Sequence, residues 1–171
     1  MPASGPTGRR APARPPRDRR ALGVDLGSKR IGLAVSDSAG RLATPYDVLA
    51  RSGDEARDHA AIVGVAAEVE ACTIVVGLPL SLDGGTGPAA QGVLDEVARL
   101  AKVAAVPVET FDERLTTVTA ERDLMAQRMR AQARRRVVDK VAAAVLLQSW
   151  LDALPAGEGG AAGDRGPTGP P

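Results

Sequence analysis

From Gly23 to Asp37 the chain reads Gly-Val-Asp-Leu-Gly-Ser-Lys-Arg-Ile-Gly-Leu-Ala-Val-Ser-Asp. Apolar Leu22, Val24 and Leu26 alternate up to Gly27, and after Lys29-Arg30 the alternation resumes at Ile31, Leu33 and Val35. Two period-two runs joined by a short Gly-containing segment predict a β-hairpin. The first strand carries a carboxylate, Asp25, among apolar neighbours. Charge on such a strand is costly unless a cation, a proton or several donors compensate it. Asp25 is therefore either a turn residue whose side chain caps Gly27-Ser28 or one member of a site completed from elsewhere in the chain.

The hairpin is followed by a turn at Asp37-Ser38-Ala39-Gly40 and a third strand over 42–49, which Pro45 interrupts and so marks as an edge. Residues 54–71 read as a helix, capped by Ser52 or Asp54, with Ile62, Val65 and Val69 at helical spacing. Thr73-Ile-Val-Val-Gly77 is a short, continuously apolar run of the kind found in a central strand covered on both faces. A glycine-rich loop over 78–87 leads to a helix starting near Pro88, striped by Val93, Leu94, Val97, Leu100 and Ala101. A further strand spans 106–110, and two helices follow over 116–130 and 137–154, the second with Val138, Val141, Val145 and Leu146 on one side.

This order predicts an α/β fold with a mixed five-stranded sheet. Three antiparallel N-terminal strands precede alternating helices and parallel strands, with helices on both faces. Functional groups in such sheets gather at the carboxyl ends of the parallel strands, and Asp25, Leu78 and Glu113 each fall at or just beyond one.

The 171 residues fit one domain over 21–154, flanked by two tails expected to be disordered: an Arg/Pro-rich one over 1–20 and a Gly/Pro-rich one over 155–171. Six arginines against one aspartate put +5 on the first tail, and Glu158, Asp164 and Arg165 put −1 on the second, so the net +1 of the whole chain hides an acidic body of −3. Affinity for nucleic acid then depends on local patches, the clearest between Arg122 and Lys140, or on the Arg-rich arm. With one Phe, one Tyr and one Trp, base stacking on an aromatic platform is disfavoured. The single Cys72 precludes an internal disulfide and reads as a buried structural thiol. No apolar run has membrane-spanning length and no hydrophobic signal core is present, so a cytoplasmic protein without membrane partners is expected.

Asp25, the Asp112-Glu113 pair after the last strand, and Asp139 on the final helix are three acidic positions that short crossovers could bring to one sheet edge. Convergent carboxylates repel unless a divalent cation lies among them, and hard oxygens suit Mg²⁺ or Mn²⁺. The lone His59 has no companion histidine, which disfavours zinc. Phosphodiester hydrolysis is the chemistry such a cluster supports. The plainer alternative makes Asp112 a helix cap and pairs Asp139 with Arg135 or Arg136.

Four blocks, Gly23-Val-Asp25-Leu-Gly27-Ser-Lys29-Arg30-Ile-Gly32, Val75-Val-Gly77-Leu-Pro79 with Asp83-Gly84, Asp112-Glu113-Arg114-Leu-Thr-Thr117, and Val138-Asp139-Lys140-Val-Ala-Ala, resemble the YqgF (RuvX) family in order and content. That resemblance implies an RNase H-like fold and an acidic triad of Asp25, Glu113 and Asp139 that holds metal and serves catalysis. It implies a metal-dependent nuclease, a hydrolase of ester bonds, working either in 5′-end maturation of pre-16S ribosomal RNA or as a Holliday junction resolvase. RuvC-type resolvases, which are similar in fold, carry a further Asp three residues after the helical one. Here that place is Ala142, which favours structured RNA, a pre-rRNA or ribosomal particle, over branched DNA. Lys29, Arg30, Arg114, Arg134, Arg135, Arg136 and Lys140 are the residues expected to contact nucleic acid. The protein is expected to be a monomer or weak dimer.

Two other classes remain open on residues alone. Asp25-x-Gly27 with a following hairpin also resembles the first phosphate-binding element of actin-like and sugar-kinase ATPases, but those clamp a nucleotide between two such domains. A catalytically silent RNA-binding factor of ribosome assembly would leave the function indifferent to Asp25→Asn.

Overall fold

A computed structural model describes residues 20–79, 85–112 and 131–155. The strands are β1 (Arg20–Leu26), β2 (Arg30–Ser36), β3 (Ala43–Ala50), β4 (Ala71–Leu78) and β5 (Val108–Asp112), and the helices α1 (Glu55–Glu68), α2 (Pro88–Val103) and α3 (Ala131–Ala153). They form the mixed five-stranded sheet expected, in the order β3-β2-β1-β4-β5. The first three strands pair antiparallel, whereas β4 runs parallel to both β1 and β5. The carboxyl ends of β1, β4 and β5 therefore share one edge of the sheet.

Strand alternation separates two faces. Leu22, Val24, Ile31, Leu33, Ile74 and Val76 point to one side and pack under α1 and α2 through Ile62, Ala66, Val97 and Leu100. Ala21, Ala34 and Val75 point to the other, where α3 covers them with Ala143, Leu147, Trp150 and Leu151. The first face is built from large branched side chains and the second floor from small ones. Gly23 belongs to that floor: a Cβ there would lie 2.8 Å from the Leu147 Cβ, so only glycine admits the helix at this depth.

Local signals explain the boundaries. Asp54 caps α1, its carboxylate accepting from the backbone N–H groups of Ala56 and Arg57. Pro88 opens α2. β3 lies at the sheet edge as Pro45 indicated, and the register slips between Leu33 and Ala34, leaving Tyr46 as an extra residue on β3 opposite that step. Gln148 ties α3 to this edge, accepting from Ala43 N–H at 2.9 Å and donating to the Arg41 carbonyl at 2.9 Å.

Some expectations need correction. The last helix begins at Ala131 rather than near 137, so the basic run Arg134–Arg136 is part of its backbone. Of its predicted stripe only Leu146 is fully buried, while Val138, Val141 and Val145 are half-buried; Ala143, Leu147, Trp150 and Leu151 are the residues buried against the sheet, because the Gly/Ala floor accepts that stripe more closely. Cys72 is half-buried, near the start of β4. Of the tails expected over 1–20 and 155–171, Arg20 instead opens β1, and residues 1–19 and 156–171 lie outside the described residues, as do the helix expected over 116–130 and Asp83-Gly84.

Candidate active site at the carboxyl edge of the sheet

Asp25 is the penultimate residue of β1 and is half-buried. It is the cross-strand partner of Gly32 on β2, and directly opposed residues of an antiparallel pair project to the same face. That face is the one α3 covers. A Cβ on Gly32 would sit far inside contact with the Asp139 carbonyl oxygen, so glycine is required there for α3 to lie against the hairpin at Asp139. Thus the sequence-predicted Asp25 and Asp139, 114 residues apart in the chain, are brought to neighbouring positions on one sheet edge by a hydrogen atom on Gly32.

Arg30, the first residue of β2, donates from Nε to Asp139 Oδ2 at 2.6 Å, with both side chains still partly open to solvent at 30% and 24% exposure. One carboxylate oxygen of Asp139 is thereby engaged and its charge partly balanced. Lys29 is exposed at the tip of the hairpin. Lys140, one residue past Asp139, lies 3.8 Å from Asp47 on β3 in a solvent-open pair, a spacing that contributes little to stability. Arg134, Arg135 and Arg136 occupy the first two turns of α3, ahead of Asp139. Glu113 and Arg114 lie outside the described residues, immediately after Asp112, the last residue of β5.

The hairpin turn is braced from the other side by a residue that sequence reasoning missed. Arg51 follows β3 and donates from Nε to the Gly27 carbonyl at 3.0 Å, while its backbone N–H reaches the Lys29 carbonyl at 3.0 Å. Its guanidinium is in turn gripped by Glu96 of α2 through two bonds of 2.6 and 3.1 Å and lies 3.5 Å from Asp58. Burial pushes the Asp58 carboxyl up, but hydrogen bonds from Ser52 and the Arg51 charge outweigh it and leave the group below its ordinary range. The turn after Asp25 is therefore fixed by a charged network, not by its own residues alone. Nothing in the spacing of Arg51, Asp58 and Glu96 announces this, because α2 supplies Glu96 only after the chain has folded.

The arrangement can supply hard carboxylate oxygens, an orienting guanidinium and flanking cations at the open edge of a mixed sheet. Carboxyl oxygens of this kind suit Mg²⁺ or Mn²⁺ rather than soft ions. Among the described residues Asp139 is held by Arg30 through Oδ2 alone, which leaves its second oxygen for another partner. Glu55, His59 and Glu96, whose ligand atoms all lie within 4.8 Å of one another, form a separate group able to hold a metal ion on the α1–α2 side.

Comparison with known proteins bears on the fold and the family. The fold is shared with T. thermophilus RuvC in complex with Holliday junction substrate, at a TM-score of 0.51 and 16% identity, covering 78% of this chain and 94% of that one. Fold and curated relatives together define the class: an RNase H-like hydrolase acting on phosphodiester bonds. The chain belongs to the RuvX family, whose model, described as Holliday junction resolvase, matches residues 19–153. It is 46% identical over 147 residues to a Mycobacterium sp. (strain KMS) protein named "Putative pre-16S rRNA nuclease", with 82% of this chain and 87% of that protein covered. A protein of the same name from Anaeromyxobacter dehalogenans (strain 2CP-C) is 50% identical over 133 residues, with 78% and 96% covered. Among the described residues no helix is long and apolar enough to cross a membrane.

Proposed function

We propose that the chain is a divalent-metal-dependent endonuclease that trims structured RNA, with 5′-end maturation of pre-16S ribosomal RNA as its reaction. The observation that carries this is the seating of Asp139 on Gly32, the direct partner of Asp25. Asp25 and Asp139, joined by Glu113 from the segment after β5, are the ligand set. The chemistry that Mg²⁺ or Mn²⁺ supplies at such oxygens is activation of a water and stabilisation of the leaving oxygen. Arg30 holds the Asp139 carboxylate in one orientation, and the Arg51 network holds the turn that follows Asp25. Lys29, Lys140, Arg114 and the arginines at 134–136 attract the phosphate backbone without reading bases.

Ala142 supports RNA over junction DNA. It stands one helical turn beyond Asp139 and is 3% exposed, a packed methyl where the RuvC-type pattern has another carboxylate. The family description and the shared fold favour a second reading, resolution of a four-way DNA junction. Incubation of the full chain with a pre-16S transcript and, separately, with a four-way junction, in Mg²⁺ or Mn²⁺, separates the two. Cleavage of the transcript alone, lost in Asp25→Asn and Glu113→Gln, is the expected result. Cleavage of the junction alone selects the second reading, and equal cutting by the variants removes both.

A further inference from the structure

The group formed by Glu55, His59 and Glu96 lies under α1 and α2, on the face of the sheet opposite α3. His59 is 4% exposed, and its Nε2 has no hydrogen-bond partner among the described residues. That nitrogen lies 3.5 Å from Glu96 Oε1 and 3.9 Å from Glu55 Oε1, beyond hydrogen-bond length for either. A buried polar atom left in this way is costly, and it is aimed at two carboxylate oxygens. Ligands 2.0–2.2 Å from a shared tetrahedral ion lie roughly 3.3–3.6 Å apart, close to the His59–Glu96 spacing and a small contraction from the His59–Glu55 one.

We propose that Glu55, His59 and Glu96 form a second cation site, distinct from the carboxylate edge, for a borderline first-row divalent ion such as Zn²⁺ or Co²⁺. The donor set chooses the ion: an imidazole nitrogen with two carboxylates suits Zn²⁺ or Co²⁺, whereas the all-oxygen edge suits Mg²⁺ or Mn²⁺. The backbone delivers the ligands. Glu55 and His59 stand four residues apart and so share one face of α1, and Glu96 comes across from α2. Arg99 bonds the Glu55 carboxylate through two nitrogens, as Arg51 bonds Glu96. These contacts account for the carboxylates but leave the imidazole unsatisfied, and hydrogen-bonded carboxylates are the usual outer support of a metal ligand. Each oxygen retains a second lone pair for an ion. An open cavity of about 430 Å³, lined by Ala56, Ala60 and Val63 beside Glu55, His59 and Arg99, adjoins the group on its Glu55 side. The ion would clamp α1 to α2 and, through Glu96, steady Arg51.

His59 is the only histidine in the chain, so its ring protons are an unambiguous reporter. Full-length protein carrying Asp25→Asn and Asp139→Asn, which silences the other site, is titrated with Co²⁺ alone and then with Zn²⁺. The expected result is one Co²⁺ per chain, paramagnetic shifts on the single imidazole, visible absorption that one equivalent of Zn²⁺ abolishes, and a raised Tm with Zn²⁺. His59→Gln and Glu96→Gln lose these signatures. Glu55→Gln, at a more exposed position, weakens Co²⁺ binding at least tenfold and serves should a buried variant misfold. No binding, or binding that leaves the His59 resonances and the Glu55→Gln affinity unchanged, overturns the site. Because no readout involves cleavage, either result leaves the nuclease assignment to be judged separately.

Discussion

The two faces of the sheet solve different problems with the same strands. Under α1 and α2 the floor is Leu22, Val24, Ile31 and Leu33, all fully buried, and helices rest on side chains. Under α3 the floor includes Ala21, Gly23, Gly32 and Ala34, and the helix rests almost on backbone. Burial of large apolar groups supplies stability on the first face. On the second, small residues give up contact area for proximity, and proximity is what sets Asp139 beside the Asp25 strand pair. The lesson is that a helix bearing a candidate site carboxylate can be positioned by what its floor lacks.

Substitutions that exchange the two strategies test this contrast. Leu33→Ala opens a cavity on the α1–α2 face and costs about 2–5 kcal/mol in denaturant unfolding, while the folded fraction retains its cleavage rate. Gly32→Ala, one residue away, adds a methyl against the Asp139 backbone; overpacking of this kind costs about 1–3 kcal/mol, and here the cleavage rate of the folded fraction falls as well. Equal catalytic loss in both variants would dissolve the distinction between the faces.

Arg30→Gln leaves both floors intact and frees only the Asp139 carboxylate. Loss of an outer hydrogen-bonding partner to a ligand typically costs about 10–100-fold, so the rate should drop by that factor with Tm nearly unchanged. A variant as active as the parent would make Arg30 an ordinary strand-end residue.

The smallest effect is acid sensitivity of the α1–α2 side. Arg99 hydrogen bonds hold the Glu55 carboxyl below its ordinary 4.5, and the Asp58 carboxyl sits below its ordinary 3.8 although burial alone would raise it. Carboxyls depressed in the folded state lend stability that is whole above their unfolded values and is lost as pH falls through the folded ones. Tm should therefore be flat near neutrality and decline below about pH 4.5, less steeply in Glu55→Gln than in the parent.

Much of the fold was legible because local periodicity and global placement agree. The hairpin, the Pro45 edge, the Asp54 cap and Pro88 at the head of α2 all carry their own chemistry. What was not legible depends on tertiary contact. The true buried stripe of α3 could not be chosen from its helical pattern, since Val138 and Val141 are as apolar as Leu147 and Trp150; the floor beneath decides. Likewise Asp25 was conspicuous as a charge on an apolar strand, whereas Arg51 and Gly32 gave no sign of their roles. His59 was set aside for want of another histidine, and its carboxylate companion Glu96 arrives from a different helix.

The central claim is that Asp139 acts at the carboxyl edge rather than merely packing there. Asp139→Asn preserves side-chain size, so cleavage of a pre-16S transcript in Mn²⁺ can be measured at matched folded fraction, with Tm recorded alongside. A fall of more than about 100-fold, beyond the range for an outer partner, with Tm little changed, is the predicted result. A rate equal to the parent's would contradict the account.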